Sequence, residues 1–536
     1  MLTSSVPEES FLVALRTTLP SILPEFLMQR RWFGGKARTI LWVEVSDVVP
    51  FCPNTLRSYF ILANVQYASG PAETYHIPLV RGPGEPESEM RFRQEEFAED
   101  IVLHDALTDE HFLASLLDAI AQDLSFPGAN GEVRAISTKA LRPLWEPSQG
   151  PLTPSLVKAE QSNSSVVYGR RLVLKIFRRL EEGMNPELEI GTFLTEHTSF
   201  GNVPPVAGRV EYCRAQGTRT SVGVLQGYVA NQGDAWQFTL RGLAEYYEKA
   251  QRVTTLPPGE IPRASILELS SRSIPDEPRK SIGPYLDSAA LLGRRTAELH
   301  LALASARQDP DFMPQPFSAM EQQAFVNSAV SLLTANFGLL RRRKQEMPDH
   351  IRREAEPVLN LEDSARQRFQ LFGRTKLSAM LTRIHGDYHL GQVLYTGNDF
   401  VIIDFEGEPA RSLEDRRKKR SPLQDVAGML RSFHYAAYAP LLQQEDAHKT
   451  IDERLQALGT WGHYWQKWVS AAFLKAYLDL VGDCSIIPGL RDELALMLDA
   501  YVLDKAIYEL GYELNNRPSW LRIPLGGIAQ LFQPSQ

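Results

Sequence analysis

The segment Arg383 to Glu408, RIHGDYHLGQVLYTGNDFVIIDFEGE, gathers side chains whose types and spacing could do chemistry. Asp387 is followed five residues later by the amide of Gln392, and seventeen residues later by Asp404, which closes the apolar run VIID. A carboxylate, an amide and a second carboxylate beyond a hairpin are the groups that phosphoryl transfer to a hydroxyl requires. The first would accept the proton of the attacking hydroxyl. The other two would offer oxygens to a Mg²⁺ that bridges nucleotide phosphates. Two carboxylates at the ends of apolar strands are costly to bury unless a cation or a proton satisfies them.

That chemistry demands an upstream strand lysine and a glutamate on the next helix. Lys175 in RLVLKIF is flanked by apolar residues, as a lysine reaching the phosphates would be. Glu189 in NPELEI is placed to pair with it, and Glu187 is the rival. The polar turn QSNSS, comprising Gln161, Ser162, Asn163, Ser164 and Ser165, could cradle phosphate with backbone N–H groups and small side chains. Gln226 to Val229 would be the hinge whose backbone meets the adenine of ATP. GGK at residues 34–36 is not a phosphate loop of the Walker type, because position 30 is Arg where that motif needs Gly. The basic run RRKKR (416–420) reads as a solvated, partly mobile stretch, and Asp425 as a brace for the loop that carries Asp387.

These residues need elements to hold them. Residues 11–28 spell a broken amphipathic helix, followed by alternating stretches such as TILWVEVSDVV and YFILANVQYA, which together predict a small α+β unit. RGPGEPESE (81–89) marks a boundary or an exposed hairpin tip. Residues 155–177 predict three short strands, a helix starts at Pro186, and SVGVLQGYV is a further strand. Beyond it the apolar spacing is helical, apart from a hairpin over 392–405 that turns at Gly397 and Asn398. Residues 257–284, rich in Pro, Ser and charge, predict a mobile loop.

At 536 residues the chain should hold three or four structural units. A net charge of −8 gives no global attraction for nucleic acid or anionic lipid. Cys52, Cys213 and Cys484 form no zinc-type spacing and fit a reducing compartment. No apolar run reaches the length of a bilayer span, and Glu8 and Glu9 stand where a signal peptide carries positive charge, so the expectation is a cytoplasmic protein.

HGDYHLGQ followed by VIIDFEGE resembles the phosphotransfer motif of the aminoglycoside phosphotransferase-like kinases, with Gln392 in place of their commoner Asn. In those kinases the histidines matching His385 and His389 pack and orient the loop. QRRWFGGKAR, LVLKIFRRLEEGMNPELEIGTFL, the glutamine form HGDYHLGQ, IDFEGEPAR and DKAIYELGYELNNRPSWLRIPL further resemble the maltokinase family, whose members occur alone or fused to trehalose synthase. The resemblance implies an α+β, bilobal protein kinase-like fold: an N-terminal cap (1–90), a kinase-like N-lobe with an intermediate subdomain (91–230) and a mostly helical C-lobe (231–536). It implies ATP-dependent phosphorylation of maltose at its anomeric hydroxyl, feeding α-glucan (glycogen) synthesis, with ATP and Mg²⁺ as cofactors and trehalose synthase as the candidate partner. Trp32 and Phe33 in the cap fit packing anchors.

On the C-terminal helix Lys505, Tyr508, Glu509 and Tyr512 share one face by their spacing, and Arg517 and Trp520 follow. Such a set offers polar groups for sugar hydroxyls and aromatic faces for sugar C–H surfaces. Tyr508, Arg517 and Trp520 are the first substrate candidates by resemblance, then Lys505 and Glu509; Asp387 and Asp404 would also touch substrate. Two alternatives stay open. One is a kinase of the same fold for an amino sugar such as glucosamine or an aminoglycoside, which an acidic pocket would favour. The other is a scaffold, or the regulatory half of a trehalose synthase assembly, that binds ATP without turnover, against which the intact Lys175, Asp387 and Asp404 set speaks.

Overall fold

A computed structural model describes residues 8–51, 58–84, 89–93, 100–157, 163–252, 261–443 and 451–533. The chain divides into two compact units: residues 1–197 with 203–230, and residues 198–202 with 231–536.

The first unit holds two antiparallel sheets. Strands Ile40–Phe51, Ser58–Tyr67, Glu73–Arg81, Ile101–Asp105 and Glu89–Phe92 lie side by side in that order, and the two-residue strand Arg179–Leu180 adds to Glu73–Arg81. The sheet therefore continues past the Gly- and Pro-rich segment at 81–89, whose residues 85–88 lie outside the described residues. Ser58–Tyr67 reads as a nearly continuous apolar run because both of its faces are covered. Tyr59, Ile61 and Ala63 face one core with the N-terminal helix, while Phe60 and Leu62 face another with the Glu110–Ala121 helix and the second sheet.

The helix Glu8–Gln29 runs unbroken through Pro20 and Pro24, where the sequence predicts a break. Two interior prolines cost about 3 kcal/mol each. Against that, Phe11, Leu15, Leu19, Leu23, Phe26 and Leu27 form a stripe that is almost wholly buried, at about 1.5–3 kcal/mol per side chain. Packing outweighs propensity. The stretch Glu9–Gln29 is also long and apolar enough to cross a membrane by length and composition, contrary to the reading of the sequence.

The second sheet has seven strands, in the order Ser125–Pro127, Gly131–Ser137, Val206–Arg214, Arg219–Gly227, Leu172–Phe177, Asn163–Tyr168 and Pro154–Leu156. Two buried ionic groups bind the sheets to each other. Asp47 of the first sheet accepts hydrogen bonds from the N–H groups of Ala129 and Asn130 (both 3.1 Å) and from the Tyr212 hydroxyl (2.9 Å), all of the second. Arg178, directly after the strand that carries Lys175, pairs with Asp105 at 2.7 Å, donates to Ser164 Oγ at 2.9 Å and lies 4.6 Å over the Trp32 ring. Trp32 is thus an anchor for Arg178, and Phe33 packs on Tyr75 with ring centroids 5.0 Å apart.

The second unit is built of helices Ala235–Arg252, Tyr285–Leu303, Ala319–Arg343, Leu423–Gln443, Ile451–Val481 and Arg491–Asn516, and the hairpin Val393–Tyr395/Phe400–Ile402 lies against the first two of them. Gly397 in its turn has φ +103°, which only glycine adopts without strain. Arg295 clamps the turn by a two-pronged bond to Asp399, 2.8 Å on each arm. The loop expected over 257–284 instead contains helices Ile266–Ser270 and Asp276–Ile282. The first starts from a reciprocal cap between Ser265 and Glu268, a pattern hidden in a segment dominated by turn formers; residues 253–260 lie outside the described residues. RRKKR is tied down as well: Arg416 donates to the Glu406 carbonyl, Lys419 to the Pro310 carbonyl and Arg420 to Asp415.

Removing one partner of a buried ion pair leaves the other charge uncompensated. Asp105→Asn should cost about 3–5 kcal/mol, read as a lower urea midpoint, and the double change with Arg178→Met should recover part of it.

Candidate active site

His385, Gly386 and Asp387 form a tight loop after the strand Met380–Leu381, and Gly386 takes φ +84°. Four hydrogen bonds set its shape. The buried carboxylate of Asp425, at the start of the Leu423–Gln443 helix, accepts the N–H of His385 at 2.7 Å and of Gly386 at 3.0 Å. The His385 ring accepts the Asp387 N–H on Nδ1 (3.3 Å) and donates from Nε2 to the carbonyl of Ile403 (2.9 Å). One imidazole thus ties the loop of Asp387 to the residue preceding Asp404, which is the orienting role the resemblance implies. His389 accepts the Gly391 N–H and stands 3.9 Å from Asp387.

Burial pushes the pKa of Asp425 up, but bonds from His300 and the loop N–H groups outweigh it and hold the group below the usual carboxylate range. His300 Nε2 reaches Asp425 at 3.2 Å, and Nδ1 meets the Tyr477 hydroxyl at 3.0 Å. Asp425 braces the loop as expected.

Asp404 follows the hairpin with φ +66°, rare for a residue with a side chain, and its Oδ2 accepts from Gln392 Nε2 at 2.8 Å. The amide and the second carboxylate of the motif therefore stand side by side. Their donor set, an amide oxygen plus a carboxylate, suits Mg²⁺, which binds one or two protein groups and completes its shell with phosphate and water. Among the described residues no group of three or more His, Cys, Asp or Glu forms a metal cage.

On the Arg491–Asn516 helix, Lys505 Nζ lies 3.5 Å from Asp387 Oδ1 and 4.8 Å from the Tyr508 ring centroid. Burial drives the Lys505 pKa down, but Asp387, Glu408 and Glu509 offset it and leave the group a firm cation. Burial and then Glu408, which partners its hydroxyl, raise the pKa of Tyr508. Asp387, Lys505 and Tyr508 line a cavity of about 70 Å³ with Glu408, Arg411 and Asp504. Asp504 is pushed up to about 6, by burial above all, against the pull of Arg411 and Lys505.

The remaining sugar candidates divide. Glu509 is bound to Arg431 at 2.6 and 2.8 Å, so its carboxylate serves a structural pair. Arg517 bonds Glu513 and lies over the rings of Tyr512 (5.2 Å) and Trp520 (4.5 Å), a group apart from the residues lining the Asp387 cavity. Sequence reading missed Glu408, Arg411 and Asp504. Glu408 lies one helical turn's spacing beyond Asp404 and Asp504 adjoins Lys505, yet acidic residues in a charged chain announce nothing until packing brings them to one cavity.

In the first unit Lys175 lies on Leu172–Phe177, opposite Ser165 on one side and Val224 on the other. Ser165 shares its face. Ser164 faces the other way and holds Arg178, so alternation along the strand removes it from the Lys175 face. Asn163, Ser164 and Ser165 begin a strand rather than forming a turn, while Gln161 and Ser162 lie outside the described residues. Gln226 is a second correction. It sits inside the ladder between Val173 and Val206, and its side chain donates to Glu187 Oε1 at 2.8 Å; the strand ends at Gly227, and Val229 follows it. Glu187 and Glu189 are both buried on the Pro186–His197 helix.

Residues 26–109 match a family model described as the maltokinase N-terminal cap domain. A glucosamine kinase of Mycolicibacterium smegmatis is 24% identical over 385 residues, 70% of this chain and 78% of that one. A glucosamine kinase of Streptacidiphilus jiangxiensis is 24% identical over 147 residues, 27% of this chain and 30% of the other. Among solved structures, a glucosamine kinase in its crystal form B superposes with a TM-score of 0.64 at 16% identity, covering 98% of this chain and 99% of its own. A glucosamine kinase in complex with glucosamine, ADP and inorganic phosphate gives 0.61 at 16% identity, covering 92% and 94%.

The raised pKa of Asp504 means that the folded chain holds a proton the unfolded chain releases between about pH 4 and about 6. Stability should therefore fall as pH rises across that window, and Asp504→Asn should flatten the Tm profile there. Asp425 acts oppositely: its contribution is full above about pH 4 and lost as pH falls further, a loss that Asp425→Asn abolishes at the cost of faster amide exchange at His385 and Gly386. With these positions placed, the chain has the kinase-like fold of the aminoglycoside phosphotransferase type seen in the glucosamine kinases, and carries a maltokinase-type N-terminal cap.

Proposed function

We propose that the chain is a sugar kinase that transfers the γ-phosphoryl group of ATP to the anomeric hydroxyl of maltose. The observation that carries the kinase reading is the linked pair of loops: Asp387 beside Lys505, and Gln392 against Asp404, joined through His385 and Asp425. The match of residues 26–109 to the maltokinase cap supports the choice of sugar.

In this reading Asp387 orients the sugar hydroxyl and takes its proton as the bond to phosphorus forms. Lys505, 3.5 Å from Asp387, holds the carboxylate in its direction. Gln392 and Asp404 would hold Mg²⁺, which supplies charge neutralisation at the phosphates when bound. Lys175 would hold the α- and β-phosphates, steadied by Glu189 on the helix that follows. Asn163, Ser165 and the segment after Gly227 through Val229 are the nucleotide contacts of the proposal. Tyr508 and Lys505 would meet the sugar, with Arg517 and Trp520 as an outer aromatic and cationic rim. Positioning and electrostatics carry such a reaction, since the protein forms no covalent intermediate.

A second reading is favoured by one observation: Glu408 and Asp504 join Asp387 in the cavity, and three carboxylates suit the ammonium of an amino sugar such as glucosamine. The relatives' names point the same way. A trehalose synthase partner fits only the maltose reading.

Incubation with ATP, Mg²⁺ and either maltose or glucosamine, followed by phosphorus NMR, separates the two. A glycosyl phosphate from maltose is expected, a phosphate of glucosamine alone would shift the assignment, and no product from either would end it. Asp387→Asn should lower kcat by about 10²–10⁴-fold while ATP binding, followed by calorimetry, stays within twofold or so.

A further inference from the structure

Behind the helix that carries Lys505 and Tyr508, the second unit has a partly open cavity of about 800 Å³. That volume lies in the range of about 300–1,000 Å³ typical of small-molecule sites. Its lining carries more cations than anions: the half-buried Arg368 and Lys467, the exposed Arg263, and Arg431, which Glu509 already holds, against one carboxylate among the described lining residues, Asp499. Arg368 donates to the Leu531 carbonyl at 2.7 Å and Lys467 to the Ala264 carbonyl at 3.0 Å. Those acceptors carry no formal charge. His434, 3% exposed, lines the same cavity, where its ring nitrogens meet no partner nearer than the side chain of Gln530, which also gives its N–H to the Tyr438 hydroxyl. His463 Nε2 is likewise without a bond.

Half-buried cations whose acceptors are uncharged, and buried imidazole nitrogens short of partners, are costly arrangements that an anion would relieve. Burial holds the pKa values of Arg368 and Lys467 below their ordinary ranges, with Asp499 offsetting part of this for Arg368 and Glu268 part for Lys467. A guanidinium fork and an ammonium facing one space match the oxygens of a phosphate, and the volume leaves room for a sugar attached to it.

We propose that this cavity is a second ligand site that takes a sugar phosphate, its phosphoryl group held by Arg368 and Lys467 and its hydroxyls by His434 and His463. The site also touches the proposed sugar pocket. Arg431 lines the cavity and holds Glu509, which lies on the same helix as Lys505 and Tyr508. An anion that draws the Arg431 guanidinium loosens Glu509 and shifts the helix that faces Asp387. This coupling rests on the kinase reading; the binding itself does not.

The test is calorimetric titration of the full chain with glucose 6-phosphate, with ADP and Mg²⁺ saturating. Binding is expected, weakened about tenfold by Arg368→Gln and by Lys467→Gln and unchanged by Asp387→Asn. Absence of binding at millimolar ligand, or equal affinity in folded Arg368→Gln and Lys467→Gln chains, would overturn the site. If either variant fails to fold by circular dichroism, Arg368→Lys and Lys467→Arg, which keep the charge, must retain binding for the proposal to stand. Glucose 6-phosphate should also raise the KM for the sugar substrate; a chain that binds it yet phosphorylates no sugar would sink the kinase reading and leave the site in place.

Discussion

The chemistry of the second unit depends on one buried carboxylate. Asp425 is 2% exposed, and an ion so placed persists only where several donors converge on it. It receives the N–H groups of His385 and Gly386 and the imidazole of His300. Since those N–H groups belong to the residues just before Asp387, meeting the electrostatic demand of Asp425 fixes the backbone from which Asp387 projects. His385 then extends the constraint to Ile403, so the positions of Asp387 and Asp404 are coupled through one ring rather than set by two independent loops.

A parallel device operates in the first unit. The strand bearing Lys175 passes straight into Arg178 and then into Arg179–Leu180, which pairs with the cap sheet. Arg178 is locked by Asp105, Ser164 and Trp32. Displacing the cap sheet would therefore pull on the register of the lysine strand. This explains why the first sheet shares a core with the second instead of forming a freely hinged appendage, and why residues such as Phe60 and Leu62 are apolar on a face that an isolated cap would expose to water.

Much of this was legible from residues alone. The hairpin at 392–405, the Lys175 strand, the helix at Pro186 and the brace by Asp425 follow from turn chemistry, strand alternation and the spacing of polar groups in apolar runs. What sequence could not show was which side chains meet. Ser164 and Ser165 are adjacent and alike, yet strand alternation gives one to Arg178 and the other to the Lys175 face. Prolines 20 and 24 argue for a broken helix until the depth of burial of Leu19, Leu23 and Leu27 is known. The Ser265–Glu268 cap was masked by its proline-rich surroundings.

The helix Arg491–Asn516 illustrates how one element serves several charge environments. Lys505 meets Asp387, Glu509 meets Arg431, and Glu513 meets Arg517 and Tyr435. The spacing that suggests a single sugar-facing surface therefore distributes its polar groups among different partners, from the buried Arg431 to the exposed Arg517. A carboxylate bonded by two arms of a guanidinium keeps its ionised form and fixed direction, so Glu509 can shape the field at Lys505 without touching substrate. The ammonium of Lys505 is then held by charge from three sides, Asp387, Glu408 and Glu509. A residue that answers to three carboxylates is poorly suited to release its proton and well suited to hold a neighbouring carboxylate in place, so in the proposed reaction Lys505 positions Asp387 and exchanges no proton itself.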